Sequence, residues 1–204
     1  MTQTVTPIEQ HRLDHRMDHE LDRATAAATE MLAALGVPVH EEDLAETPRR
    51  LVHAYAELLS PGAFEMTTFP NREEYDELVL VRDIPVRSLC EHHMLPFIGV
   101  AHVGYLPGER IVGLSKLART VDYHARRVQT QERLTSQIAD DLQTQLGPLG
   151  VGVVIEAEHT CMSVRGARAE GAHTVTARLL GQLREDAATR AEFLALTRER
   201  GGRA

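Results

Sequence analysis

The segment VGVVIEAEHTC (151–161) constrains this chain more than any other stretch, because its apolar residues alternate. Successive side chains of a strand point to opposite faces, so Val151, Val153, Ile155 and Ala157 share one face and predict a strand laid on a core. Continuing the parity puts His159 and Cys161 on the same buried face. A thiol and an imidazole at the end of such a face can converge on one ion. The plainer reading of Cys161 is a small core hydrophobe.

The rest of the chain supplies partners for that strand. Leu21, Ala28, Met31, Leu32 and Leu35 space an amphipathic helix from about His15 to Leu35, stopped by Gly36 and Pro38, with residues 1 to about 14 expected to be disordered or frayed. Thr47-Pro48 starts a second helix carrying Leu51, Tyr55, Leu58 and Leu59, which ends at Ser60-Pro61-Gly62. The period then changes. Leu78–Val81 leads into Ile84 and Val86, and Phe97 to Leu106 forms a second extended run before Pro107-Gly108. Helices return at about 115–128 and 131–146, the latter with Leu134, Ile138, Leu142 and Leu146 on one stripe. Strands follow at 151–162 and about 173–181, then a helix at about 187–199. This order predicts an α+β fold with antiparallel pairs rather than a wound parallel sheet. It divides into an N-terminal extension and helical region (1–62) and a main domain (63–204).

Among 204 residues, a formal net charge of −8 argues against nucleic-acid binding driven by phosphate neutralisation. No apolar run is long enough to span a membrane. The polar start MTQTVTPIEQHRLDHRMDHELDR lacks the apolar centre of a signal peptide, so the expected location is cytoplasmic. Cys90 and Cys161 are the chain's two cysteines, and both sit beside histidines. In a cytosolic chain that favours metal binding over a disulfide.

Cys90-Glu91-His92-His93 follows a predicted strand, and the spacing of Cys90 and His93 lets one turn bring both to a metal. With the distant Cys161 they make a plausible Cys₂His set, the catalytic arrangement that leaves zinc one open position. Thiolates and imidazole favour zinc over magnesium or calcium. His92 and His159 are available as a fourth ligand, which would make the site structural instead.

Gly113-Leu114-Ser115-Lys116 opens the third helix, with Ser115 as its expected N-cap and Lys116 and Arg119 in its first turns. Cations there oppose the macrodipole unless an anion is bound, when free N–H groups, dipole and cations all face it. Arg49 and Arg50 repeat the pattern after Thr47-Pro48; each such residue could also be a solvated surface cation. Glu132, off the stripe of the 131–146 helix, reads as a dipole-complementing acid or as a carboxylate left free for a ligand. Nothing local says what Arg165 does.

Taken together, CEHH (90–93), PFIGVAHVGYLPGE (96–109), GLSKLAR (113–119), QERLT (131–135), HTCMSVRG (159–166) and REDAATRAEFL (184–194) resemble GTP cyclohydrolase I in order, from about Glu46 to Leu194. The resemblance implies the tunnelling fold, an antiparallel sheet backed by two helices that closes with other subunits into a barrel. It also implies a homodecamer with active sites shared between neighbours. It places zinc on Cys90, His93 and Cys161, and His92 and His159 match catalytic histidines. Glu132 matches the carboxylate that reads guanine, with Gln131 beside it. Ser115, Lys116, Arg119, Arg165 and Arg50 match positions that hold the triphosphate or act near the ribose. Two departures stand out. Val128-Gln129-Thr130 replaces a proline and an aliphatic residue found in many members, and His53 stands where some carry a phosphate-binding lysine.

The implied reaction is metal-assisted hydrolysis: attack at C8 of guanine, protonation of N7 by a histidine, loss of formate, and rearrangement to 7,8-dihydroneopterin triphosphate, which starts pterin and folate synthesis. The nitrile reductase of queuosine synthesis shares the tunnelling fold but uses a nucleophilic cysteine without a zinc triad. The intact Cys90, His93 and Cys161 set discriminates against it. A silent relative that only binds nucleotide would lack a ligand or a histidine, and none is missing.

Overall fold

The computed structural model describes residues 7–198, with side chains from Asp18 onward. The chain divides into two units, 1–57 and 58–204. In the first, α1 (Pro7–Ala34) begins ahead of the expected His15. Pro7 occupies the first helical position, where the missing N–H costs nothing. The expected fraying therefore does not apply to 7–14, and residues 1–6 lie outside the described residues. Gly36, at φ +83, takes the left-handed conformation that ends the helix. α2 (Thr47–Leu58) starts at the expected Thr47-Pro48 pair. Leu21, Ala28, Leu51 and Tyr55 line an apolar groove between the two helices, while Met31 and Leu35 of the predicted stripe stay exposed.

The second unit contains β1 (Thr68–Pro70), β2 (Val79–Cys90), β3 (Pro96–Leu106), β4 (Arg110–Val112), α3 (Leu114–Ala125), β5 (Val128–Gln129) and α4 (Gln131–Leu146). It continues with β6 (Gly150–His159), α5 (Thr160–Ser163), β7 (His173–Gly181), α6 (Gln182–Glu185) and α7 (Ala187–Arg198). The main sheet has the order β5-β2-β3-β6-β7, and β1 pairs with β4 apart from it. The pairs β2–β3, β3–β6 and β6–β7 are antiparallel, as expected for α+β; β5 joins β2 in parallel.

The alternation of β6 does what its parity predicts. Val151, Val153, Ile155 and Ala157 are fully buried in one core with Leu117 and Val121 of α3 and Leu134, Ile138 and Leu142 of α4. Each Val, Leu or Ile side chain among them contributes about 1.5–3 kcal/mol on burial. Phe193 of α7 packs with Leu106, Val154 and Leu183 in a second cluster, over the bare backbones of Gly104 and Gly152. A Cβ at Gly152 would stand 2.7 Å from the Phe193 ring, so the glycine makes room for the aromatic.

Three expectations need correction. The third helix ends at Ala125 rather than 128, because Val128-Gln129 leaves it to pair with Leu89-Cys90. Its N-cap is Gly113, without a side-chain cap bond, so Ser115 lies inside the first turn. β6 ends at His159, and Cys161 sits in the single turn α5, so its burial comes from a chain reversal rather than from strand parity. The last helix is described only to Arg198; Glu199 lies outside the described residues.

Candidate metal centre and active site

Cys90 is the last residue of β2 and opens the reversal into β3. Met94, at φ 55, tightens that turn, with its N–H on the Cys90 carbonyl at 2.8 Å and the Cys90 N–H on the Leu95 carbonyl at 2.9 Å. Cys161 and His159 arrive from the far end of β6, which the β3–β6 register brings alongside: Phe97 lies opposite His159. Ligand atoms of Cys90, Cys161 and His159 all fall within 4.8 Å of one another. His93 Nδ1 and His92 Nδ1 are each 3.9 Å from Cys90 Sγ. Two reduced, buried thiols and the His159 imidazole thus face one point, a donor set suited to a soft or borderline metal ion, while the expected ligand His93 lies beside Cys90 but outside that group.

The electrostatics agree with that fit. Burial raises the Cys161 thiol pKa, and the neighbouring Cys90 raises it further, against the opposing positive charge of Arg165. A divalent cation between the sulfurs would reverse that penalty. Burial holds the His159 pKa below its usual value, against the charge of Glu132, so near neutral pH its imidazole is neutral and can accept a proton or a metal.

Gln131 fixes which nitrogen of His159 is available. It is 1% exposed at the start of α4, and its Nε2 donates to Ile155 O at 3.0 Å, Thr174 O at 2.9 Å and Thr176 Oγ1 at 3.1 Å. Thr135 Oγ1 donates to Gln131 O at 2.7 Å, so Thr176 must donate across the 2.6 Å contact to Thr135. This circuit admits one orientation of the amide. Gln131 Oε1 therefore accepts from His159 Nε2–H at 2.8 Å, leaving the Nδ1 lone pair free. Phe97 stacks on the His159 ring at 4.6 Å and 11°.

A cavity of about 300 Å³ is lined by these cysteines and histidines with Gln131 and the exposed Glu132. Thr130 caps α4, its side chain accepting from Arg133 N–H, so the departure at Val128-Gln129-Thr130 leaves the helix entry intact. Ser115, Lys116, Arg119 and Arg165 are not among the lining residues. Lys116 Nζ instead donates to Glu65 O at 2.7 Å and lies 5.5 Å from the centre of the Phe64 ring. Arg119 and Arg165 are exposed, and Arg50 is exposed on α2 of the other unit. Of these cations, Arg165 stands near enough for its charge to act on Cys161, although it does not line the cavity.

The sequence model of the family described as GTP cyclohydrolase I matches residues 24–198. The chain belongs to the GTP cyclohydrolase I family. The GTP cyclohydrolase 1 of Mycobacterium ulcerans (strain Agy99) is 52% identical over 181 residues, covering 85% of this chain and 89% of that protein. That of Mycobacterium leprae (strain TN) is 52% identical over 179 residues, covering 85% and 87%. A solved structure titled archaeosine synthase QueF-Like in the apo form covers 51% of this chain and 93% of its own. Its TM-score is 0.43 with 16% identity, too loose an overlap to bear on the fold. Among the described residues no helix is long and apolar enough to cross a membrane.

For a GTP cyclohydrolase I family member, the residues that reading the sequence leaves unassigned are as informative as those it assigns. Phe97, Thr135 and Thr176 act on His159 through stacking and the hydrogen-bond circuit. The β3–β6 and β6–β7 registers bring Phe97 and Thr176 there, α4 carries Thr135 one turn beyond Gln131, and no local signal in the sequence marks them.

Proposed function

We propose that this chain is a GTP cyclohydrolase I that hydrolytically opens the imidazole ring of guanine in GTP, releasing formate and giving 7,8-dihydroneopterin triphosphate for pterin and folate synthesis. The observation that carries the reading is the convergence of Cys90, Cys161 and His159 in one cavity with Glu132 at its edge. Cys90, Cys161 and His93 would hold zinc, leaving His159 to act on the substrate. Bound there, zinc supplies a water acidic enough to act as nucleophile near neutral pH.

The protein's own groups do the rest. Glu132 accepts from guanine N1–H and the N2 amino group, a charge-assisted pair that fixes the base. His159, kept neutral by burial and with Nε2–H committed to Gln131, offers its Nδ1 lone pair to take up and pass on a proton. Gln131 is fully engaged inside the chain, which favours a role in holding His159 over direct contact with substrate. His92, on the exposed turn, is the second proton-transfer group.

Ser115, Lys116, Arg119, Arg165 and Arg50 hold the triphosphate and ribose. Their absence from the cavity lining fits sites completed by a neighbouring subunit, and we extend the proposal to a homodecamer of tunnelling-fold chains in the cytoplasm. Residues 1–62 would serve as a helical extension to the catalytic part, 63–204. The test is incubation of purified protein with GTP, following formate and the fluorescence of the oxidised pterin while counting zinc. Stoichiometric zinc with no formate would overturn the activity, and an active monomer by light scattering would overturn the shared site.

A further inference from the structure

Glu91 sits inside the metal-binding turn, between Cys90 and His92, and Arg133 stands one residue beyond Glu132, yet neither has a role in the reaction as derived. His92 most needs external support. Its side chain is 67% exposed on the turn. Three groups approach the His92 ring: the His93 ring, T-shaped to it with centroids 6.4 Å apart, Cys90 Sγ, 3.9 Å from Nδ1, and Glu91 Oε1, 3.8 Å from Nε2. A free carboxylate would rotate as readily as the imidazole. Glu91 is not free, because Arg133 Nη2 donates to its other oxygen, Oε2.

Arg133 is itself held. Its Nε donates to Gln129 Oε1 at 2.8 Å, and Nη2 also donates to the Val128 carbonyl at 2.8 Å. Gln129 is 1% exposed and donates to His124 O at 2.9 Å and Gln137 Oε1 at 2.8 Å, so the anchor lies in the folded interior. The Glu91 N–H donates to Gln129 O at 3.0 Å, fixing the turn's backbone to the same strand. A planar guanidinium pinned on several sides occupies one carboxylate oxygen and leaves the other aimed at His92. An ion pair this exposed contributes little to stability. What it offers is geometry.

We propose that Arg133, acting through Glu91, is the positioning residue for His92. The inference rests on the reading of His92 as a proton-transfer group. The arrangement also ties the metal turn to the first turn of α4, so the histidine and the base-reading Glu132 are referenced to one frame.

The experiment is a double-mutant cycle in the full-length, metal-loaded protein. Arg133→Met and Glu91→Ala are made alone and with His92→Ala, and kcat, KM for GTP and bound metal are measured for each. The expected result is a loss of about tenfold in kcat for each single variant, of the size that slight misplacement of a reacting group produces. KM and metal content should stay within about twofold, and Arg133→Lys, which keeps the charge without the fork, should recover only part of the loss. In the His92→Ala background neither substitution should lower turnover further. Losses that multiply in that background, or that track lost metal, would make the pair a fastener of the turn and overturn the inference, as would unchanged kcat in both single variants. Full turnover by His92→Ala alone would instead overturn the reading of His92 beneath it.

Discussion

Replacing Gln131 by methionine keeps the length of a buried side chain and removes both ends of its amide. The Nε2 protons lose Ile155 O, Thr174 O and Thr176 Oγ1 as acceptors, and His159 Nε2–H loses Oε1. An amide has two N–H donors and one carbonyl acceptor here; at about 0.5–1.5 kcal/mol net for each bond, the loss is roughly 1.5–4.5 kcal/mol. Against a typical stability of about 5–15 kcal/mol the variant should still fold. The larger consequence is chemical. Without the acceptor on Nε2, the proton of neutral His159 can reside on either nitrogen, and the ring is held only by its stacking on Phe97. Loss of an outer-sphere partner that orients a histidine typically costs about 10–100-fold in activity or metal affinity. The assay is kcat by formate release and pterin fluorescence, with bound metal counted and urea unfolding as the folding control. If the folded variant keeps kcat within about twofold of the parent while His159→Ala is inactive, the amide does not govern His159 and the tautomer argument fails.

Cys161→Ala should lose bound metal and activity together while the fold persists, since the thiol lies on a one-turn helix at the core's edge; activity in protein shown to be metal-free would refute the metal assignment. Glu132→Ala should impair GTP turnover and narrow the preference for GTP over inosine triphosphate, which lacks the N2 amino group. A hydrogen bond to a charged group carries roughly 1.5–3 kcal/mol, on the order of tenfold to a hundredfold in kcat/KM. An undiminished preference would show that Glu132 only complements the helix dipole. His102 is 7% exposed and its Nδ1 accepts from Asp83 N–H at 3.3 Å. Burial lowers its pKa from 6.5 despite the charge of Asp83, so below that pH the unfolded chain takes up the proton more readily than the folded one. Stability should therefore fall as pH drops below about 6.5, and His102→Gln should flatten the fall; parallel urea midpoints from about pH 7.5 to 5 would remove the argument.

What the sequence determined by itself is whatever depends on local period and motif. The alternation of 151–157 gave a buried strand face, and the stripe of Leu134, Ile138 and Leu142 gave the helix that covers it, because two- and 3.6-residue repeats translate directly into faces. The same locality misplaced ends. Ser115 looked like a cap and Val128 like helix, since neither the backbone cap at Gly113 nor the pairing of Val128-Gln129 with Leu89-Cys90 leaves a local mark. The ordered motifs singled out Cys90, His92, His93, Glu132, His159 and Cys161 without saying how they meet. Only the tertiary structure decided that Cys90 and Cys161, some 70 residues apart, share one point; that Gln131 is a buried clamp with its amide direction set by two threonines; and that Arg133 reaches back to Glu91. Those contacts depend on strand register and on where a hydrogen bond finds its partner, and register is set by the summed packing of a whole face rather than by any residue's neighbours in sequence.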